Sequence, residues 1–265
     1  MDRGFLFGDS IYEVIPTYDG KMVGFSAHIA RMNAGLAATG IELEWSDDEW
    51  RELVETLVKE NGGGNLGVYL QVSRGADTTR FHGFPDDVEP TVFGFVFVIP
   101  EPQVADKKLA KLGRMVTAQD LRWNRCDIKS TSLTGNVMLF QHGHKNSMID
   151  TLLFDANDEL TEASTSNAYI VSNGKVITPP LGQNILAGVT RHILLSILRK
   201  DGSIAVEERP VTRDEVNRAD EVWISSSTKE IVPVVEIDGK AVGDGQVGDV
   251  WLAAQKLYST GKFDF

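Results

Sequence analysis

A proline-rich segment at residues 100–106 divides the chain into two stretches with different patterns of predicted structure. Before it, a predicted hairpin is followed by helices and further strands; after it, strands and helices alternate. At 265 residues and 42% hydrophobic, the chain is long enough for one large domain or two small ones. We predict a small domain at 1–100, a linker at 101–111 and a larger domain at 112–265. Periodicity alone assigns these parts only to a mixed α and β class.

A tight turn near the N-terminus predicts the first hairpin. Asp19-Gly20 readily adopts the positive φ angles that such a turn needs. The β-rich runs on either side, Ile11–Tyr18 and Met22–Phe25, are therefore predicted as paired strands. Ser26 is predicted to cap the helix that follows.

A second helix is marked at both ends. Ser46 and Glu49 have the spacing of a capping box, ahead of an amphipathic run. Glycines 62–64 precede a strand-like run rather than a helix, so we interpret them as a helix stop and not as a phosphate-binding loop. The remaining strands of this stretch are predicted at residues 68–72 and 91–99.

The second stretch mixes both kinds of element. Strands are predicted near residues 115–118, 151–155, 168–171, 176–178, 204–208, 221–225 and 234–237. Helices are predicted near residues 133–145, 190–200, 213–217 and 250–259. Asn173-Gly174 and Asp238-Gly239 mark two further hairpins.

Charge and cysteine content narrow the class of protein. The 26 basic and 38 acidic residues give a net charge of −12, which argues against binding nucleic acid or an anionic membrane through net charge. The single cysteine, Cys126, excludes an internal disulfide framework, and neither a transmembrane-length run nor a secretory signal is visible. We expect a cytoplasmic protein.

His142 and His144 lie two residues apart in a predicted helix. This spacing places them on different faces of the helix, so no metal site is indicated.

Lys129 is the candidate nucleophile. A lysine shielded from water loses its proton more readily, and the neutral amine can form a Schiff base with a carbonyl such as that of pyridoxal phosphate. Taken alone, Lys129 is better explained as one of many solvated surface lysines.

Glu162 is the candidate partner for such a cofactor. A pyridoxal enzyme needs an acidic group beside the pyridine nitrogen, because a protonated ring withdraws electrons from the substrate far better than a neutral one. The alternative for this residue is an ordinary surface glutamate.

Two segments could hold the cofactor's phosphate. Gly188-Val189-Thr190 opens an amphipathic helix, so free N–H groups and the helix dipole would point at an anion. Ser225–Thr228 follows a strand-like run and offers several hydroxyls, of which we assign Ser226 and Ser227 to the phosphate. An ordinary helix cap and an ordinary turn are the alternatives.

These candidates lie within motifs that occur in the order of one known family. The chain resembles the class IV, or fold type IV, pyridoxal-phosphate aminotransferases, and among them the D-amino-acid transaminases, from Asp2 to near Lys256. The motifs that carry the resemblance are Asp2–Glu13, His28–Arg31, Trp123–Ser130, Thr161–Asn167, Gly188–Arg191 and Ser225–Glu230.

The resemblance implies a fold and further cofactor-binding residues. It predicts a small α+β N-terminal domain joined to a larger α/β barrel-like C-terminal domain, with pyridoxal 5'-phosphate in the cleft between them. Arg31 is the arginine that binds the phosphate in the family, and Leu186 completes our set of cofactor-binding residues. Roughly twenty residues, usually the first strand of the small domain, would precede Asp2 in the family and are missing here.

Substrate recognition is assigned to Tyr12, Arg80 and His82. A guanidinium with additional donors is well suited to hold the α-carboxylate of an amino acid. In D-amino-acid transaminases an Arg-x-His pair and a tyrosine form such a trap, and the loop with the pair comes from the second subunit of a homodimer. Without the resemblance, Arg80-Phe81-His82 is explained equally well as a polar loop facing water.

The implied reaction is transfer of an amino group from a D-amino acid to a 2-oxo acid by a ping-pong route. Two enzyme alternatives remain open: a branched-chain L-amino-acid aminotransferase and an aminodeoxychorismate lyase. Both would keep Lys129 and Glu162 but use a different carboxylate pocket. A non-enzymatic alternative is a protein that binds the cofactor without catalysis.

Overall fold

The computed structural model describes residues 1–265 and divides into two compact units. The first unit consists of Met1–Glu101, Ile128–Leu133 and Phe265; the second consists of Pro102–Asp127 and Thr134–Asp264.

Residues 128–133 lie in the first unit, although the sequence placed them in the larger domain. They extend along the first strand of that unit, where Thr131 N–H donates to Ser10 O at 3.0 Å and Ser130 pairs opposite Ile11. The Ile128 side chain is buried in the same unit's core. Because these residues are continuous in sequence with the second stretch, their return to the first unit was not predicted.

The first unit is a four-stranded antiparallel sheet with three helices, and the strand order is β2-β1-β3-β4. The strands are β1 Ser10–Tyr18, β2 Lys21–Met22, β3 Leu66–Ser73 and β4 Thr91–Val98. The helices are α1 Arg3–Phe7, α2 Phe25–Thr39 and α3 Asp47–Glu60.

Strand β1 presents alternate residues to the helices, as a half-buried strand should. Ile11 and Ile15 are fully buried in a core with Ile29 of α2 and Trp50 of α3. Tyr12 lies on the opposite face of the sheet, stacked on a tyrosine of β3. This alternation places a tyrosine on one face and Glu13 on the other.

The local signals in this unit are largely confirmed. Asp19 and Gly20 have φ angles of 49° and 78°, and Ser46 forms the predicted capping box with Glu49. The predicted Ser26 cap is wrong: α2 begins at Phe25, and Gly24 occupies the cap position with φ 67°. This left-handed glycine turns the chain directly into α2, so β2 ends early.

The second unit contains a nine-stranded mixed sheet that curls into a half-barrel, with helices packed on it. The order is β10-β9-β8-β11-β12-β5-β6-β7, with β13 paired to β12. The strands are β5 Gly113–Gln119, β6 Asp150–Phe154, β7 Leu160–Ala163, β8 Asn167–Ser172, β9 Lys175–Thr178, β10 Val206–Glu208, β11 Glu221–Ser226, β12 Glu230–Ile237 and β13 Lys240–Ala241. The helices are α4 Thr134–Lys145, α5 Val189–Asp201, α6 Arg213–Asn217 and α7 Asp249–Gly261, and a 3-10 turn follows at Lys262–Asp264.

Both predicted hairpins of this unit are confirmed by positive φ angles at Asn173-Gly174 and Asp238-Gly239. Strand β7 was not predicted, because its four residues show no polar and apolar alternation; all four are buried. No helix in the structure has both the length and the apolar character needed to cross a bilayer.

Candidate active site

Lys129 lies beside the tyrosine of the first strand. Tyr12 N–H donates to Lys129 O at 3.0 Å, which fixes the lysine backbone against β1. The half-buried side chain places Nζ 4.0 Å from the centroid of the Tyr12 ring. No carboxylate pairs with this amine within the chain, so Nζ is not engaged in a salt bridge that a covalent bond would have to break.

Arg31 is held by a buried carboxylate. Its Nε and one terminal nitrogen donate to the two oxygens of Glu13, each at 2.7 Å. His28 Nδ1–H donates to the same carboxylate at 2.7 Å. Burial alone would raise the pKa of Glu13, but Arg31 and then His28 outweigh it and hold that pKa well below its usual range. The bidentate contact fixes the guanidinium plane.

His28 is fully buried, and burial lowers its pKa although Glu13 opposes the shift. A neutral ring that donates through Nδ1 therefore supports the Glu13–Arg31 pair. Neither Glu13 nor His28 was among the predicted site residues. Their signal in the sequence is the alternation of β1 and the three-residue spacing of His28 and Arg31 on α2.

Arg80 and His82 lie on an exposed loop of the first unit. The His82 ring lies 5.2 Å from the Phe7 ring, and the Arg80 guanidinium lies 5.2 Å from the same ring. No hydrogen bond or ring contact joins either residue to Tyr12 within the chain. The predicted carboxylate trap is therefore not assembled by contacts inside one chain.

Glu162 lies on β7 and is only 4% exposed. One oxygen accepts from Arg122 at 2.7 Å; the other accepts from Asn167 Nδ2 at 3.1 Å and from Leu186 N–H at 3.2 Å. Burial raises the pKa of Glu162 to about 7, although Arg122 and the Leu186 N–H oppose the shift. A carboxylate has about four acceptor positions, so three donors leave room for one more.

Arg122 is fixed in turn by Asp120. Its Nε and a terminal nitrogen donate to the two oxygens of Asp120 at 2.9 and 2.7 Å, and Thr161 Oγ1 donates to that carboxylate at 2.8 Å. The guanidinium is 4% exposed. The sequence did not indicate this link, because Arg122 and Glu162 are on separate elements. Only the i, i+2 spacing of Asp120 and Arg122 was visible.

The N-terminus of α5 lacks a side-chain cap. Gly188 is the cap residue, so no side chain there accepts from the first N–H groups of Val189 and Thr190. Such a terminus is suited to an anion. A Cβ on Gly188 would lie 1.9 Å from Asn167 Oδ1, so this helix packs directly against the residue that donates to Glu162.

The serine cluster contains an unpaired hydroxyl. Ser226 Oγ is buried and has no hydrogen-bond partner in the structure. Its neighbour Ser225 instead bonds to the Tyr169 hydroxyl at 2.7 Å. A buried polar atom of this kind normally has a partner, and a ligand's phosphate oxygens would supply one. Ser227 follows directly in the turn after β11.

Cys126 has the environment of a structural thiol. Its Sγ donates to Trp123 O at 3.1 Å, and burial raises its pKa to about 11 although Arg122 opposes the shift. The thiol therefore stays protonated at neutral pH and is a poor nucleophile.

Comparison with known proteins identifies relatives along most of the chain. The family model described as amino-transferase class IV matches residues 10–237. A D-alanine aminotransferase of Listeria monocytogenes is 38% identical over 251 residues, which cover 94% of this chain and 85% of that protein.

Two solved structures share the fold at lower identity. One is a branched-chain aminotransferase of the archaeon Thermoproteus uzoniensis with norvaline, with a TM-score of 0.88 and 20% identity over 99% of this chain and 88% of that one. The other is a putative 4-amino-4-deoxychorismate lyase of Legionella pneumophila, with a TM-score of 0.87 and 22% identity over 98% and 93%. At such identities the likeness concerns the fold alone.

Proposed function

We propose that this chain, which belongs to the class IV aminotransferase family, transfers the amino group of D-amino acids such as D-alanine and D-glutamate to a 2-oxo acid. The observation that carries the proposal is the 38% identity to a D-alanine aminotransferase over 94% of the chain. Membership makes the chain a pyridoxal-phosphate-dependent aminotransferase. The resemblance inferred from the motifs is thereby confirmed.

The structure contains groups suited to this cofactor. The buried Ser226 hydroxyl without a partner, the uncapped start of α5 and the remaining acceptor position on Glu162 each match one part of it. When bound, pyridoxal phosphate supplies an electron-withdrawing ring that stabilises negative charge at the substrate's Cα.

We assign the catalytic role to Lys129. Its amine would hold the cofactor covalently and, when free, would act as the base that moves the proton from the substrate's Cα. The half-buried side chain beside Tyr12, without a competing carboxylate, supports this role.

Glu162 is assigned to the pyridine nitrogen. Its raised pKa reflects a buried carboxylate without sufficient positive surroundings, and a protonated ring nitrogen would provide them. Arg122 and Asn167 orient the carboxylate and leave an acceptor position for that N–H. Glu162 would thereby keep the ring nitrogen protonated.

The phosphate is assigned to five residues, and a sixth, Leu186, is assigned to the ring. The donors would be Arg31, the N-terminal residues of α5 and the serines after β11. Leu186, whose N–H donates to Glu162, would lie beside the ring. The phosphate donors are Arg31, Val189, Thr190, Ser226 and Ser227. The bidentate Glu13 contact keeps Arg31 in one orientation, which suits recognition of a planar set of oxygens.

The substrate carboxylate is assigned to Tyr12, Arg80 and His82, with the last two supplied by the second subunit of a homodimer. The absence of contacts between Tyr12 and the other two within one chain supports this arrangement. Three phenylalanines of β4 form an exposed apolar stripe that a second subunit could cover: Phe93, Phe95 and Phe97.

A cytoplasmic location is also proposed, and the single cysteine is consistent with it.

The proposal is tested by steady-state kinetics of the purified holoenzyme. With D-alanine and 2-oxoglutarate we expect pyruvate formation, detected with lactate dehydrogenase. L-Leucine should give little 4-methyl-2-oxopentanoate under the same conditions, measured by chromatography because lactate dehydrogenase reports pyruvate. Equal or faster turnover of L-leucine would favour the branched-chain alternative, and no turnover with any amino acid would favour a protein that only binds the cofactor.

A further inference from the structure

We propose that Arg3 and Asp9 are positioning residues that hold the Arg80–His82 loop in the geometry needed to bind a substrate carboxylate. The proposal rests on the proposed role of Arg80 and His82 and extends it to residues that touch neither substrate nor cofactor. Both residues belong to the N-terminal motif, in which only Tyr12 has a proposed role in binding substrate.

Arg3 holds the backbone of the loop itself. Its guanidinium donates to Phe81 O at 2.7 Å and to His82 O at 3.3 Å. The arginine is 3% exposed although the loop that it holds is exposed. A buried guanidinium that binds two successive carbonyls restricts the rotation of the peptide between them and so the directions of both neighbouring side chains.

Asp9 orients Arg3 and links it to a second arginine. Its carboxylate accepts from Arg3 Nε at 2.9 Å and from two nitrogens of Arg74 at 2.8 and 3.0 Å. Burial tends to raise the pKa of Asp9, but Arg74 and Arg3 outweigh it and lower that pKa, so the carboxylate is charged at neutral pH. Loss of the carboxylate would leave two buried cations without a counterion.

Arg74 anchors the far side of the loop. Its guanidinium donates to Thr39 O and Gly40 O, both at 2.8 Å, and lies 3.6 Å from the centroid of the Phe84 ring. Arg3 therefore binds the loop at residues 81–82, and Arg74 contacts it at residue 84. Both arginines donate to Asp9.

Phe7 supports the two side chains directly. The His82 ring and the Arg80 guanidinium both lie 5.2 Å from its ring, and Arg3 lies 4.9 Å from it. Helix α1 thus contacts the loop backbone at Phe81 and His82 through Arg3, and the side chains of Arg80 and His82 through Phe7. The contacts set the spacing of Arg80 and His82, which a flexible exposed loop would otherwise leave variable.

The test measures the inhibition constant of propionate, which is D-alanine without its amino group, against D-alanine turnover by the holoenzyme. Arg3→Lys keeps the charge but loses the two-carbonyl contact, and Asp9→Asn keeps the shape but loses the charge. Each should raise the propionate Ki by about 10-fold or more, because a displacement of about 1 Å is costly for an oriented contact. The KM for D-alanine should rise in parallel, with a smaller change in kcat.

Arg51→Lys is the matched control, since Arg51 also lies over an aromatic ring of this unit, 4.2 Å from Phe25, but does not contact the loop. Its Ki should equal that of the parent. A general loss of folded enzyme would lower kcat without changing Ki. If Arg3→Lys does not fold, Phe7→Leu tests the same support by removing the shared ring, with the same expected rise in Ki.

Arg80→Ala separates the two ways in which the idea can fail. If Arg80→Ala raises the propionate Ki but the Arg3, Asp9 and Phe7 variants leave it unchanged, the positioning role is wrong and the carboxylate site stands. If Arg80→Ala itself leaves Ki unchanged, the proposed carboxylate site is wrong and the positioning role falls with it.

Discussion

Glu162 is buried, and its carboxylate accepts from only three hydrogen-bond donors. Its ionisation is therefore the best measure of how well the protein stabilises a charge at this position. In the protein without cofactor its pKa is raised to about 7, from 4.5 in an unfolded chain. Between these values the folded state holds a proton that the unfolded state has released. Stability contributed by this group is therefore highest below pH 4.5 and falls as pH rises toward 7.

The Glu162→Gln variant tests this dependence in the cofactor-free protein. Urea unfolding should show that the free energy of unfolding of the parent, relative to the variant, declines from pH 4.5 to pH 7 by up to about 3 kcal/mol and then levels. The variant does not titrate at this position, so it is the reference. A constant difference across that range would mean that Arg122 keeps Glu162 ionised throughout.

Lys129 provides the second test at this scale. Lys129→Ala should abolish turnover and the absorbance of the lysine-bound cofactor while the circular dichroism of the fold is unchanged, because no other amine is assigned to the covalent bond. Lys240→Ala, at an exposed lysine of β13, should behave as the parent. Borohydride-stable attachment of the cofactor in Lys129→Ala would contradict the assignment.

Single residues were predictable where a local motif marked them, and not where their partners are distant in sequence. Side-chain chemistry together with the family motifs predicts Lys129 and Glu162 as site residues, and their roles stay predictions. The motifs did not reveal the role of Arg122, because its contact with Glu162 depends on how β7 folds beside the segment after β5. The spacing of two residues in the sequence does not show whether their side chains are in contact in the fold.

At the scale of elements, the start of α5 connects the phosphate-binding candidates to Glu162. Gly188→Ala should weaken cofactor binding by about 10-fold or more and lower the free energy of unfolding by about 1–3 kcal/mol, because the added methyl overlaps Asn167 and must displace it. Fluorescence titration with the cofactor measures the first effect. Gly182→Ala is the control, since a Cβ there has nothing within 4 Å. Equal affinities of the two variants would show that α5 tolerates the shift.

Elements with strong end signals were predicted well, and elements defined by tertiary contacts were not. The Ser46 and Glu49 capping box and the Asp-Gly and Asn-Gly hairpins need only local interactions, and the structure confirms them. Strand β7 was missed because neighbouring elements bury all four of its residues, polar ones included, so its sequence does not alternate between polar and apolar residues. The start of α2 was misplaced because Ser26 is a common cap residue type, whereas Gly24, two residues earlier, occupies the cap position with a left-handed φ.

At the scale of the whole molecule, the proposed homodimer predicts complementation. Equal amounts of inactive Lys129→Ala and inactive Arg80→Ala subunits should recover about a quarter of the parent's activity after random exchange, since half of the dimers then contain one intact site. Exchange is verified by mass spectrometry of differently tagged subunits. Absence of recovery after verified exchange would place Arg80 in the site of its own chain.

The fold of the whole chain followed from the motif resemblance, whereas periodicity yielded only a mixed class. The return of residues 128–133 to the first unit was not predicted, because it depends on hydrogen bonds to β1 that sequence separation conceals. This return places Lys129, the proposed catalytic lysine, beside Tyr12, and that proximity is visible only in the structure.

Handedness is the central claim, and a single-turnover measurement tests it most directly. Holoenzyme is mixed with excess D-alanine, L-alanine or L-isoleucine and conversion of the cofactor is followed by absorbance, in the parent and in Arg80→Ala. Loss of a charge-assisted carboxylate contact costs about 2–5 kcal/mol, so we expect D-alanine to react roughly 30- to 5,000-fold faster than its L-isomer and to slow sharply in Arg80→Ala. Rapid conversion by L-isoleucine that is unchanged in Arg80→Ala would contradict the account.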